Sequence, residues 1–349
     1  MFGARFHEDA TNRKERYVFA QAFDPRFPFA FQVPRDEFDD LLLRTAEKKG
    51  AEVRHEWTVK RLRFDGDRAT GVDVVDPQGR AHVIDARYVV DASGRDALVA
   101  GDRRAKTKIE RLDKSAFYSH FRGTERGQGI EEGDIDIVVF PHGWFWFIPF
   151  KDGRTSVGAV VGSAWVKENR DAGDAEGLLH RAISQSPTAQ RLLANATQLW
   201  PARAAADYSY RVGEPVGEGW LALGDAGGFI DPLFSSGAHI AMHQAFSAAD
   251  HIHQALDSGD LGPARFAPWV AEAALGTATF LDAVQAFYAG GLLRYLFAEK
   301  KHTFLRRSVT SLLSGDVYSL DARWIKDVRT RLAEMASPNW KPDAIVGVG

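Results

Sequence analysis

The 349-residue sequence contains no cysteine. Its absence excludes disulfides, thiolate nucleophiles, redox-active dithiols and iron–sulfur ligation. Any redox chemistry must therefore come from a bound organic cofactor or from a metal held by other side chains. Neither sign of charge is in marked excess, the net value being -3. That argues against a nucleic-acid partner, which would call for a basic surplus. No apolar run is long enough to span a bilayer, so no membrane partner is expected. The opening MFGARFHEDATNRKERY lacks the basic-then-apolar order of a secretion signal, and a cytoplasmic location is expected. Internal repeats and low-complexity linkers are also missing. The length exceeds what one compact core organises and points to two domains.

What is present reads as an interleaved order. Residues 1–32 are aromatic-rich and read as irregular. VPRDEFDDLLLRTAEKKGAEV follows, with Pro34 suited to a first helical turn, an apolar face of Phe38, Leu41, Leu42 and Leu43, and Gly50 as a stop. Short strands come next, joined at Asp65-Gly66 and at Pro77-Gln78-Gly79. Further strands are expected over 115–160, then helices over 165–195 with Pro187 as a break. GWLALGD reads as a strand running into a long helix from near Ser236, and more helices follow residue 262. This order predicts a sheet with a parallel core and flanking helices, with an antiparallel sheet inserted into it. The basic residues Lys300, Lys301, Arg306 and Arg307 read most simply as a solvated helical face. A sharper reading of them is a docking patch for an acidic carrier protein.

The segment 219–250, GWLALGDAGGFIDPLFSSGAHIAMHQAFSAAD, is the strongest local signal. An apolar strand ends at Gly224-Asp225, a glycine-rich turn including Gly228 follows, and a helix begins after Ser235-Ser236-Gly237. Glycines let backbone approach a ligand without Cβ clashes. N–H groups at a helix start suit an anion or an electron-rich ring edge. Asp225, at the carboxyl end of a strand, is placed to accept hydrogen bonds from a polyol. The bland alternative is a tight strand–turn–helix with a serine cap. A second signal, YVVDASGRDALVA, runs from a β-branched strand through Asp91 to Gly94, where backbone could approach a phosphate or ring. Alone it reads equally as an ordinary turn. His239 and His243 lie four apart on a helix but lack the glutamate of the zinc-protease pattern, so no metal site is expected.

VPRDEFDDLLLRTA, VVDASGR and LALGDAGGFIDPLFSSG together resemble three signatures of the FAD-dependent monooxygenase-type fold. Within it, Trp144-Phe145-Trp146-Phe147-Ile148-Pro149 is similar to the WxWxIP mark of flavin-dependent halogenases. Phe229-x-x-Pro232-x-x-Ser235-x-Gly237 is similar to their halide-binding turn. The two indoles also fit a plain core, because residues two apart on a strand share a face.

The resemblance implies an α+β or α/β fold. A Rossmann-like FAD-binding domain of glutathione-reductase type (33–100 and 201–260) is interleaved with an antiparallel substrate domain (1–32 and 101–200), and a helical region (261–349) follows. It implies Arg35, Asp91, Gly94, Gly224, Asp225, Gly228, Pro232 and Gly237 at the cofactor. Ser236 and Gly237 would hold halide, and Trp144, Trp146 and Ser235 would serve catalysis. FAD would arrive reduced from a separate flavin reductase, and hypohalous acid would halogenate an electron-rich ring.

The sequence departs from the family pattern in three places. The glycine loop of an opening βαβ unit is not seen, so a truncated start and weak FAD binding are expected. The family's lysine context ends here as Gly3-Ala4-Arg5-Phe6, with the lysine position at Met1. Phe234 stands where tryptophan-acting members carry glutamate, favouring a small phenol or pyrrole substrate, or an aromatic group tethered to an acyl carrier. A flavin hydroxylase, a geranylgeranyl-reductase-like enzyme and a non-catalytic relic remain as alternatives.

Overall fold

The computed structural model describes residues 1–342 except positions 25, 27, 103, 104, 111, 207, 208, 319–321 and 338. The chain divides into two compact units. The first comprises Met1–Arg35, Leu112–Tyr208 and Asp282–Gly349; the second comprises Asp36–Arg111 and Ser209–Leu281. The boundaries differ from those expected: the helices after 281 group with the first unit, and 261–281 with the second, in place of one separate helical region.

The first unit is built on an eight-stranded sheet. Its central order is Lys114–Arg122, Arg154–Gly162, Gly143–Pro149, Ile135–Phe140, Gly3–Glu8 and Arg13–Val18. The sheet is mixed rather than purely antiparallel, because Gly3–Glu8 runs parallel to Ile135–Phe140. This corrects the reading of 1–32 as irregular: GARFHE and RKERYV are paired strands. Their alternation is masked because charged residues line a buried face. Alternation along each strand divides the sheet into two faces. Phe117, Val138, Phe145, Phe147, Val157 and Ala159 form one, covered by Leu178, Leu179 and Leu192 of the helices Ala175–Ser184 and Pro187–Leu193. Each such Phe, Val or Leu side chain taken from water contributes about 1.5–3 kcal/mol. Pro187 opens its helix at the first turn rather than breaking one, with the Ser186 hydroxyl accepting from the Ala189 N–H. On the opposite face lie Phe6, Ile137, Trp144, Trp146 and Tyr118.

The basic segment near 300 is structural. Lys301 pairs with Glu15 at 3.0 Å, Arg306 donates to the Arg16 carbonyl at 2.9 Å, and the Arg307 guanidinium lies 4.5 Å from the Phe23 ring centroid. These groups are engaged within the unit, which weakens their reading as a free docking patch.

The second unit pairs Val89–Asp91 in parallel with Trp220–Ala222, flanked by Val216–Gly217. A meander of Thr58–Asp65, Arg68–Val75 and Ala81–Asp85 joins them, with the expected tight connections. Gly71 is required in the meander: its φ is +153°, and a Cβ there would come within 2.1 Å of the Ile84 carbonyl oxygen. Leu221, Leu223, Phe266 and Trp269 pack against Ala248 and Ala255 of the helix Gly237–Ser258. The helix Arg35–Lys48 forms where expected, but no residue of it is buried, and Leu41 is 60% exposed. Of its apolar face Phe38 is half-buried, and Leu41, Leu42 and Leu43 are exposed. No helix among the described residues is long and apolar enough to cross a membrane.

Candidate functional site

In the second unit the two glycine-bearing signals meet. Parallel pairing sets Asp91 opposite Ala222, and the Leu223 N–H donates to the Asp91 carbonyl at 3.1 Å. Both strands therefore end side by side, and the turns that follow them emerge at the same carboxyl edge. That edge is where open α/β sheets place ligands. The Asp91 carboxylate is buried and spent locally: it accepts from the Ser93 N–H at 3.0 Å and the Val99 N–H at 2.9 Å. It shapes the turn at Gly94, whose φ of +65° suits glycine and whose Cβ position faces open space. Lys106 fixes the same turn by donating to the Arg95 and Asp96 carbonyls at 2.8 and 2.9 Å.

The second turn is held as firmly. The buried Gly224 N–H donates to Gln244 Oε1 at 2.8 Å, and the Tyr210 hydroxyl donates to the Asp225 carbonyl at 2.6 Å. Gly224 adopts φ +57° with a Cβ position 3.0 Å from the Ala241 Cβ, so a side chain there would be both strained and crowded. Burial, followed by the nearby Asp225 charge, pushes the Tyr210 phenol up to about 12. Asp231 accepts from the Leu233 N–H at 3.0 Å and caps the short turn Pro232–Phe234. Ser235 is exposed and left-handed at φ +51°; Ser236 is buried and precedes the helix. The Ser236 side chain does not cap this 22-residue helix, whose start is the end that attracts anions. The Cβ position of Gly237 lies 3.9 Å from Asp225 Oδ1, which brings the carboxylate and the helix start together. Gly228, at φ +147°, pairs with Arg211. Arg35 is exposed at the first position of its helix.

A glycine cradle with open space at Gly94, a helix start and a carboxylate at a strand end fit a flavin nucleotide and a small anion. Among the described residues no group of three or more His, Asp or Glu side chains gathers at His239 and His243. His243 instead bonds Glu272 at 2.7 Å.

In the first unit, Trp144 and Trp146 share a face with ring centroids 6.0 Å apart. Their surroundings differ. Trp144 is 1% exposed and donates its indole N–H to the Tyr288 hydroxyl at 3.0 Å. Trp146 is half-buried, donates to Ser156 Oγ at 3.1 Å and neighbours Tyr118 at 6.0 Å. The Lys114 ammonium lies on the same face, 4.4 Å from the Tyr288 ring centroid. Sequence reasoning missed Lys106, Tyr210, Gln244 and Tyr288: the first three bond turns 10 to 20 residues away, a pairing no local pattern marks, and Tyr288 meets Trp144 from 144 residues away.

A Rossmann-like unit carrying a glycine turn, interleaved in sequence with a sheet unit, is a fold found among FAD-dependent oxidoreductases. The tryptophan halogenase family model matches residues 6–291, and the chain belongs to that family. It is similar to a tryptophan 2-halogenase of Chondromyces crocatus, 36% identical over 227 residues (64% of this chain and 44% of that protein). It is also similar to a 1H-pyrrole-2-carbonyl-[peptidyl-carrier protein] chlorinase of Pseudomonas fluorescens, 29% identical over 308 residues (83% of this chain and 65% of that protein). The chain thus spans less than two thirds of the length of these curated relatives. A flavoprotein/dehydrogenase structure from Cytophaga hutchinsonii superposes with TM-score 0.86 at 26% identity, covering 96% of this chain and 81% of that one.

Proposed function

We propose that this chain carries the flavin and halide sites of a flavin-dependent halogenase acting on an electron-rich aromatic ring. The observation that carries the reading is the start of Gly237–Ser258 lying beside Asp225, at the carboxyl edge of paired parallel strands. Bound reduced FAD, with oxygen, would supply the two-electron oxidation that converts halide to hypohalous acid. The protein's part is to position and to exclude. Asp225 accepts hydrogen bonds from the ribitol hydroxyls. The backbone at Gly94, Gly224 and Gly228 would admit the cofactor without side-chain clashes, Pro232 stiffens the turn, and Arg35 would serve the pyrophosphate. Ser236 and Gly237 hold halide through converging N–H dipoles, with Ser235 adopting the left-handed bend that aims them.

Trp146, the half-buried member of the pair, screens the substrate from direct hydroxylation, while Trp144 backs it through Tyr288. A separate reductase supplies reduced FAD. Substrates are a small phenol or pyrrole, or an aromatic group tethered to a carrier. The carrier reading draws on the pyrrolyl-carrier chlorinase.

The test is to incubate the protein with enzymatically reduced FAD, oxygen, bromide and a phenol, and to analyse products by mass spectrometry. A brominated phenol is expected. A hydroxylated but never halogenated product overturns the halogenase reading, and no FAD uptake in a fluorescence titration overturns the flavin site.

A further inference from the structure

A cavity of about 400 Å³ opens in the first unit on the sheet face opposite the tryptophans. The register fixes the side. Arg5 pairs with Asp136 and His7 with Val138, whereas Phe6 pairs with Ile137, the neighbour of Trp146. Directly opposed residues project to one face, so Arg5, His7, Lys14, Arg16 and Asp136 form a polar strip across three strands. Elsewhere this face is apolar core.

The strip sets like charges opposite one another. Arg5 faces Arg16, an arrangement that strand pairing disfavours, and Lys14 faces His7. Around Arg5 and Arg16 the repulsion is answered within the protein. Arg5 bonds Asp136 at 2.5 Å, Arg16 bonds Asp134 at 2.7 Å, and Glu131 lies 3.7 Å from both guanidinium groups. The remaining carboxylate of the cavity wall, Glu125, pairs with Arg191.

Two cations of the wall form no ion pair among the described residues, Arg126 having only the longer-range charges of Glu132 and Asp152. Among the described residues no carboxylate lies within ion-pair distance of Lys14 or Arg126. Arg126 is half-buried and spends its Nη atoms on the Phe150 and Arg154 carbonyls and Thr155 Oγ1 at 2.7–3.1 Å, which locks it in place without neutralising it. Arg5 is equally fixed: a Cβ at Gly127 would come within 2.2 Å of its Nη1.

We propose that this cavity is a binding site for a small phosphate ester, held by Lys14 and Arg126. Three features fix the class. The lining's cations, Arg5, Lys14, Arg126 and Arg191, outnumber its carboxylates, Glu125, Glu131 and Asp136, the strip is hydrogen-bonding rather than apolar, and a lysine and an arginine lining one cavity suit phosphate. The volume falls among small-molecule sites and exceeds what a bare inorganic ion fills. The site is independent of the flavin reading, because it lies wholly within the first unit and away from the indole face.

The test is calorimetric titration of the full chain at constant ionic strength, with glucose 6-phosphate and inorganic phosphate as probes and citrate and chloride as comparisons. Saturable binding of the ester is expected. Its Kd should rise about two- to fivefold in Lys14→Gln, the loss of one charge-assisted contact from an exposed lysine, and recover in Lys14→Arg. Arg126→Gln should abolish binding. If that variant fails to fold, Lys14→Gln decides, since Lys14 is exposed. No saturable binding, binding unchanged in Lys14→Gln, or citrate bound as tightly as the ester would each overturn the proposal.

Discussion

Gly158→Ala is the sharpest probe of the indole face. Gly158 pairs with Trp146 across adjacent strands, and an ideal Cβ there would sit 2.2, 2.4 and 2.5 Å from three ring carbons of Trp146. Carbon atoms settle at about 3.5–4 Å, so the ring must retreat by about 1.3 Å or more. Its surroundings resist: the indole N–H bonds Ser156 Oγ at 3.1 Å, and Trp144 and Tyr118 each stand 6.0 Å away. Because Trp146 is half-buried, it can swing outward rather than force the backbone apart. The cost is then one hydrogen bond, about 0.5–1.5 kcal/mol, plus ring contacts worth about 0.5–1.5 kcal/mol. Gly158→Ala should therefore destabilise by about 1–3 kcal/mol, the range of overpacking. Urea denaturation followed by circular dichroism measures it, and the same substitution in a Trp146→Leu background separates the ring clash from any backbone effect. A loss below about 0.5 kcal/mol in the native background, or an equal loss in both, would refute the placement of the indole on Gly158.

Two further predictions concern the glycine turn. Gln244→Ala leaves the buried Gly224 N–H without its acceptor; it should cost about 1–3 kcal/mol and weaken FAD uptake, read by denaturation midpoint and flavin fluorescence, and an unchanged midpoint would show that Gln244 does not hold the turn. The Tyr210 phenol, pushed up to about 12 from about 10 in an unfolded chain, favours the folded state while protonated. Its stabilisation should be complete below about pH 10 and fall as pH rises toward 12. Wild type should lose stability relative to Tyr210→Phe across that window, and parallel pH profiles would contradict the assignment.

Much of the candidate site was legible in the chain itself. Glycine-rich turns after apolar strands declare themselves because few residues other than glycine accept a left-handed turn such as that at Gly224. The paired indoles declare themselves because a strand has period two. The family's segments, their order and the strand-to-helix switch at Ser236 are local properties, set by neighbours in sequence. Other features were settled only by the tertiary structure. The first two strands looked irregular because their charges are answered by Asp134 and Asp136, more than a hundred residues away. The basic residues near 300 looked solvated because Glu15 and Phe23, which engage them, come from the opposite end of the chain. Asp91 looked like a ligand, yet its carboxylate is consumed by its own turn. Trp144 and Trp146 look equivalent in sequence; burial makes one a buttress on Tyr288 and leaves the other facing outward. Backbone conformation and strand period are written residue by residue. Charge neutralisation and burial depend on which distant segments meet, and that is decided only when the chain folds.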